Sequence, residues 1–193
     1  MQTIGLDHWL RFLADAQARA GDFVASGPAA VAPVPFTDDM GQVMVNYRGE
    51  TIRRPAGMDP HVFVSQGLQD KKTEEALIAS GNEGSGPAAL GYQAGVLRKF
   101  ERGGPWDAQR IGASYHPEFV DYATAAIGLY AAANGMSRDE ILRIQDAVAR
   151  NGHCPSDTGM DKTYTHLPTR NIYNTDLGYW LYQSGRIGAA PRP

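Results

Sequence analysis

The spacing of apolar positions changes several times along this chain, and each change marks an element. From Thr3 to Ala20, Trp9, Leu10, Phe12, Leu13 and Ala16 share one broad stripe, with Asp7, Arg11, Asp15 and Arg19 off it. This predicts a helix that Gly21 can end. Residues 25–36 are rich in Pro, Ala and Gly and suit an extended connector. Gln42 to Tyr47 alternates with period two, and Arg48-Gly49-Glu50 is a turn signal before Thr51-Ile52-Arg53. A short hairpin is expected. His61-Val62-Phe63-Val64 reads as another strand, and Thr73 to Ser80 as a short helix capped by Thr73. Asn82 to Pro87 reads as a loop. Ala88 to Phe100 reads as a helix carrying Leu90, Val96, Leu97 and Phe100, weakened by Gly91 and Gly95.

The clearest helices follow. Pro117 opens one at a position that favours proline. Phe119, Tyr122, Ala126, Ile127 and Tyr130 then recur at helical spacing until Asn134-Gly135 stops the run. Ser137-Arg138-Asp139-Glu140 is a capping box, and its helix carries Ile141, Leu142, Ile144 and Val148 to Asn151-Gly152. The short connection predicts neighbouring antiparallel helices. Residues 152–170 have no apolar period. Asn171 to Ser184 resumes as a helix with Ile172, Leu177, Trp180 and Leu181 inward, before a loose Gly/Pro/Arg tail. The fold class is therefore α+β: a predominantly α-helical single domain with a small antiparallel β element near residues 42–64. Its organisation reads as an N-terminal helix and connector (1–36), a catalytic domain (37–186) and a tail (187–193).

The 193 residues suffice for one domain with a core, and 42% hydrophobic against 20% charged residues is a globular balance. A net charge of -3 argues against a general nucleic-acid binder, which carries a basic surface. No apolar run reaches the length of a membrane helix. The start, Met1-Gln2-Thr3-Ile4-Gly5-Leu6-Asp7, lacks the basic and apolar regions of a signal peptide, so export would use another route. Cys154 is the single cysteine, which excludes an intrachain disulfide and a multi-cysteine zinc site.

Carboxylates are the first candidates for chemistry. Acid–base hydrolysis needs two of them in different environments. Asp107 follows Trp106 in a Gly-Gly-Pro turn, where it is either a working carboxylate or a cap. Glu118 and Asp121 lie three residues apart, near one helix face, and as first-turn charges they also suit the helix dipole. Asp176 sits on the last helix. His116, held extended by Pro117, can exchange protons or serve as a boundary residue. Trp106, Tyr122 and Trp180 suit either a sugar-stacking groove or a core. His153, Asp157, Asp161 and His166 form a weaker alternative, a mixed N/O metal site whose spacing matches no standard ligand pattern. Cys154 can act as a nucleophile beside a histidine or as a small buried hydrophobe. No cofactor is expected on the main reading, and a divalent metal stays open on the alternative one.

Gly103-Gly104-Pro105-Trp106-Asp107 resembles the GGPWDYK-type signature of the bacterial polymorphic toxin type 44 domain family. Phe119 to Gly128 is similar to that family's FGNFNYGATG-type segment, and Asp176 to Gly185 to its closing Asp/Trp/Gly helix. The resemblance spans residues 97–186. Asp121 stands where the family has Asn, Ala123 and Ala125 where it has Asn and Gly, and Gln109-Arg110 where it has Lys. What the resemblance implies is an antibacterial toxin with roles at Trp106, Asp107, Asp121 and Asp176. Its partners would be a cognate immunity protein and a secretion-system component of type VI kind. Together these readings lead to an effector that hydrolyses peptidoglycan in the periplasm of a target bacterium. The alternatives are a nuclease toxin using His116, His153, Asp157 and His166, with Lys162 and Arg170 on phosphate, and a non-catalytic adaptor.

Overall fold

The protein is seen in a computed structural model that describes residues 31–79, 100, 104, 106–111, 114–152 and 166–189. Strand β1 (Pro33–Pro35) pairs antiparallel with β2 (Arg53–Pro55), with Val34 opposite Arg54. Helix α1 (Pro60–Ala79) follows, then the antiparallel pair β3 (Arg110–Ile111) and β4 (Ser114–Tyr115). A 3-10 turn (Pro117–Phe119) runs into α2 (Val120–Asn134), and α3 (Arg138–Gly152) and α4 (Thr169–Gln183) complete the described chain. The fold is mixed α+β, mostly helical and one body, as the sequence pattern predicts.

The expected hairpin is present in narrow form. Val45 bridges Thr51, and the Asn46 N–H donates to the Glu50 carbonyl at 2.9 Å around a turn in which Gly49 has φ of 77°. Alternation survives intact: Met44, Asn46 and Ile52 are buried, while Val43, Val45 and Tyr47 are exposed. The expected strand at His61–Val64 is instead the start of α1. Asp59 accepts the His61 N–H at 3.0 Å and Pro60 occupies the first helical position, so a cap outweighs the β-branched run. Thr73 is likewise no cap. It lies inside α1 and its hydroxyl donates to the Gln69 carbonyl at 3.1 Å. The expected helices at 3–20 and 88–100, Phe100 apart, and the loop at 82–87 lie outside the described residues.

Helix α2 is the axis of the molecule, packed between α1 and α4. It is alanine-rich, which favours helix and permits close neighbours. Gly135, with φ of 90°, ends it by donating to the Ala131 and Ala132 carbonyls. A Cβ on Gly67 of α1 would come within 2.6 Å of the Tyr130 carbonyl oxygen, so α1 crosses α2 at that glycine. Gly178 marks the crossing with α4 on the other side. Helix α3 begins with the expected capping box: Ser137 N–H donates to Glu140 Oε2 at 2.8 Å and Glu140 N–H to Ser137 Oγ at 3.3 Å.

The core is aromatic. Trp106 stacks edge-on to Phe63 and Phe100, with ring centroids 5.6 and 4.9 Å away, and lies 5.5 Å from Tyr130. Tyr122 is fully buried and donates its hydroxyl to the Met58 carbonyl at 2.9 Å. Residues 186–188 are tied down, where the start of a loose tail was expected. Ile187 is fully buried, Arg186 pairs with Asp38, and the Gly188 N–H donates to Asp39 Oδ2 at 3.1 Å.

Candidate functional site

Two elements, the hairpin and α4, converge on Asp121, in the first turn of α2. Asn46 reaches it from the hairpin. Its Oδ1 holds the turn by accepting the Arg48 and Glu50 N–H groups, while its Nδ2 donates to Asp121 Oδ2 at 3.0 Å and to Glu50 Oε2 at 3.0 Å. Helix α4 supplies Arg170 and Asn174, one turn apart, and both donate to Asp121 Oδ1, each at 2.5 Å. Burial pushes the Asp121 carboxyl up, but the hydrogen bonds from Arg170 and Asn46, the Arg170 charge and the Asn174 bond more than reverse it. The group therefore sits below the ordinary carboxylate range. Arg170 responds in the opposite sense: its bond to Asp121 raises it further.

Above this buried cluster lies an exposed rim. Tyr47 and Tyr115 lie within electrostatic range of Arg170, and the Tyr47 and Tyr173 rings lie 6.4 Å apart. Arg48 sits 5.1 Å over the Tyr47 ring and Arg110 sits 5.2 Å over that of Tyr115. Tyr47, Tyr115 and Tyr173 are all exposed. The stretch that carries Tyr115 and Asp121 also carries His116 and Glu118. His116 Nδ1 lies 3.3 Å from Glu118 Oε1, with the carboxylate 41% exposed, and the imidazole packs on Phe119.

The other expected residues have different surroundings. Asp107 is buried beneath Arg110. Its Oδ2 accepts Arg110 Nη1 at 2.9 Å and its Oδ1 accepts the Gln109 N–H at 3.1 Å, so the carboxylate shapes the turn that aims Arg110. Asp176 is gripped by Arg138 through two bonds of 2.7 and 2.6 Å, joining α4 to α3. Trp106 and Tyr122 lie in the core, where a substrate meets neither without rearrangement. Trp180 is exposed under Arg186, 5.3 Å from its guanidinium. His153, Asp157 and Asp161 lie outside the described residues, as does Cys154. His166 is described: its N–H donates to Asp146 Oδ1 at 2.7 Å and its ring faces the same carboxylate. Among the described residues no group of three or more His, Cys, Asp or Glu is placed to hold a metal ion. No described helix is long and apolar enough to cross a membrane.

Asn46, Asn174 and the rim tyrosines Tyr47 and Tyr115 escape a sequence reading. The hydrogen bonds that define the cluster join positions 75, 53 and 49 residues apart, and no local signal announces them. No protein-family model, curated protein or solved structure matches this chain.

Proposed function

We propose that this chain is an antibacterial effector that hydrolyses the cell envelope of a target bacterium, with peptidoglycan as substrate and a cognate immunity protein as its antidote. The observation that carries the reading is the His116–Glu118 pair, next in the chain to the exposed rim residue Tyr115. Tyrosine faces with free edges stack on sugar rings while their hydroxyls bond sugar polar groups. Hydrolysis then needs one group to take a proton from water and give one to the leaving atom. Glu118 reaches solvent, and His116 lies within range to orient it or share its proton. Asp121 is anionic and engaged by three neighbours, so it holds the site rather than donating a proton. The toxin class rests on the likeness of residues 103–107 and 119–128 to the type 44 domain signature.

Charge balance favours a glycan over a nucleic acid. Arg110 and Arg170 each stand over a carboxylate of their own, Asp107 and Asp121. Among the described residues, Arg48 over Tyr47 adds one further cation to this face, short of the excess that binding a polyphosphate requires. A nuclease is the second reading, favoured by an imidazole beside arginine–tyrosine pairs. Expression with and without a periplasmic export signal separates the two. Lysis only on export, lost in Glu118→Gln, is the expected result. Growth arrest only in the cytoplasm, with degraded RNA or DNA, overturns it in favour of the nuclease.

A further inference from the structure

The two ion pairs of the site share one construction. In each, the carboxylate is below and the guanidinium above. The Asp107 side chain is 3% exposed under an Arg110 that is 30% exposed, and Asp121 is 9% exposed under an Arg170 that is 36% exposed. They differ in which nitrogen is bound. Arg110 spends a terminal nitrogen on Asp107. Arg170 is gripped at Nε, and neither of its terminal nitrogens has a partner among the described residues.

An arginine held by Nε is an oriented fork. Its stem cannot swing, and its outer N–H groups point away from the clamp in the plane that suits a two-oxygen acceptor. The clamp is itself fixed, because Asp121 is anchored from the hairpin by Asn46 and from α4 by Asn174. Arg170 also lies in the first turn of α4, at the positive end of the helix. Tyr47, Tyr115 and Tyr173 flank it, exposed and with no hydrogen-bond partner for their hydroxyls among the described residues. A pre-set fork costs little to order on binding.

We propose that Arg170, positioned by Asp121, is the specificity residue of the site and reads a single carboxylate on the substrate, the free carboxylate of a peptidoglycan stem peptide, while the flanking tyrosines pack on the adjoining sugar or peptide. This rests on the envelope-hydrolase reading for its choice of polymer. The fork offers one bidentate acceptor position, and the compensated charge around it matches one anion rather than a chain of phosphates. Asp121 is a positioning residue in this scheme, since it acts through Arg170.

Calorimetric titration of the whole chain tests it, using a muramyl tetrapeptide with free carboxylates, the same compound with those carboxylates amidated, and a single-stranded RNA oligonucleotide. The wild type binds the acid about tenfold more tightly than the amide, one charge-assisted bidentate contact's worth. Arg170→Gln erases that preference. Arg170→Lys keeps the charge but has no Nε to clamp, and retains only part of it. Arg143→Gln, an exposed pair with Asp139 on α3, leaves it unchanged. Equal affinity for acid and amide, no binding of either, a preference that survives Arg170→Gln, or tighter binding of RNA overturns the proposal. Thermal unfolding monitors each variant, and if Arg170→Gln does not fold, the wild-type preference and Arg170→Lys decide. Digestion of purified sacculi by the wild type is read separately. Intact sacculi with the acid preference present sink the hydrolase reading alone. Digested sacculi without it sink the role of Arg170 alone.

Discussion

Gly128 of α2 and Gly178 of α4 each lie where a methyl group would strike the backbone of the other's helix. A Cβ on Gly128 would be 2.1 Å from the Thr175 carbonyl oxygen, and one on Gly178 would be 1.9 Å from that of Ala125. Backbone atoms cannot rotate away, so any side chain here forces the helices apart. Gly128→Ala and Gly178→Ala are each expected to destabilise by about 3 kcal/mol or more. The better helix propensity of alanine offsets only about 1 kcal/mol of that. Urea unfolding of the two variants measures the loss. Since Asp121 is on α2 and Arg170 and Asn174 are on α4, separation of the helices also loosens the site.

Asp121 makes stability depend on acid pH. Its folded value lies below the ordinary 3.8, so its contribution is present above that value and disappears as pH falls through the folded one. Asp121→Asn should therefore be less stable than the wild type at neutral pH, and the gap should close under strong acid. Thermal melts of both proteins across the acid range show it. A gap that does not narrow with acid contradicts the assignment.

His61 works in the opposite sense. Its Nδ1 lies 2.6 Å from Asp59 Oδ1 and its Nε2 lies 2.6 Å from Asp39 Oδ1. Burial lowers its value, but the hydrogen bonds to Asp59 and Asp39 and their charges outweigh burial, and the net shift is upward from 6.5. The stabilisation is complete below 6.5 and is lost as pH rises through the folded value. The advantage of the wild type over His61→Gln in melting temperature should be full below 6.5 and shrink as pH rises above it.

Ser137→Ala removes the side-chain half of the α3 capping box and is expected to cost about 1 kcal/mol. The cap is exposed and belongs to none of the site residues, so hydrolysis and ligand binding should not change. Chemical denaturation and sacculus digestion, run together, check both halves of that statement.

Glu118→Gln keeps size and removes proton exchange. Its side chain is half-exposed, so stability should stay within about 0.5 kcal/mol of the wild type. Turnover of peptidoglycan should fall by roughly a hundredfold or more, the usual worth of a positioned acid–base group. Full turnover by this variant would remove Glu118 from the chemistry.

Much of the helical frame is legible in the sequence because its boundaries are written locally. Pro117, Asn134-Gly135 and Ser137 with Glu140 each act within a few residues, and the structure uses all of them. His61–Val64 misleads for a related reason: its β-like residues are read correctly, but Asp59 and Pro60 start a helix first. Asp107 shows the limit at a site. Its place beside a buried tryptophan is apparent from the chain, while the partner that engages it, Arg110, becomes visible only once the turn is closed. The Asp121 cluster is harder still. Asn46 looks like a turn residue and Asn174 like a helix interior, and only the meeting of the hairpin and α4 at the start of α2 gives both a common partner.

The pairing of Arg186 with Asp38 has a consequence for the order in which the molecule matures. The two positions are 148 residues apart, and Ile187 beside Arg186 fills a place in the central core. A chain emerging from the ribosome amino end first must leave the loop at Asp38 without this partner until residue 186 has been made. Any refolding of the chain meets the same requirement, since the two distant stretches must find each other before the body is whole.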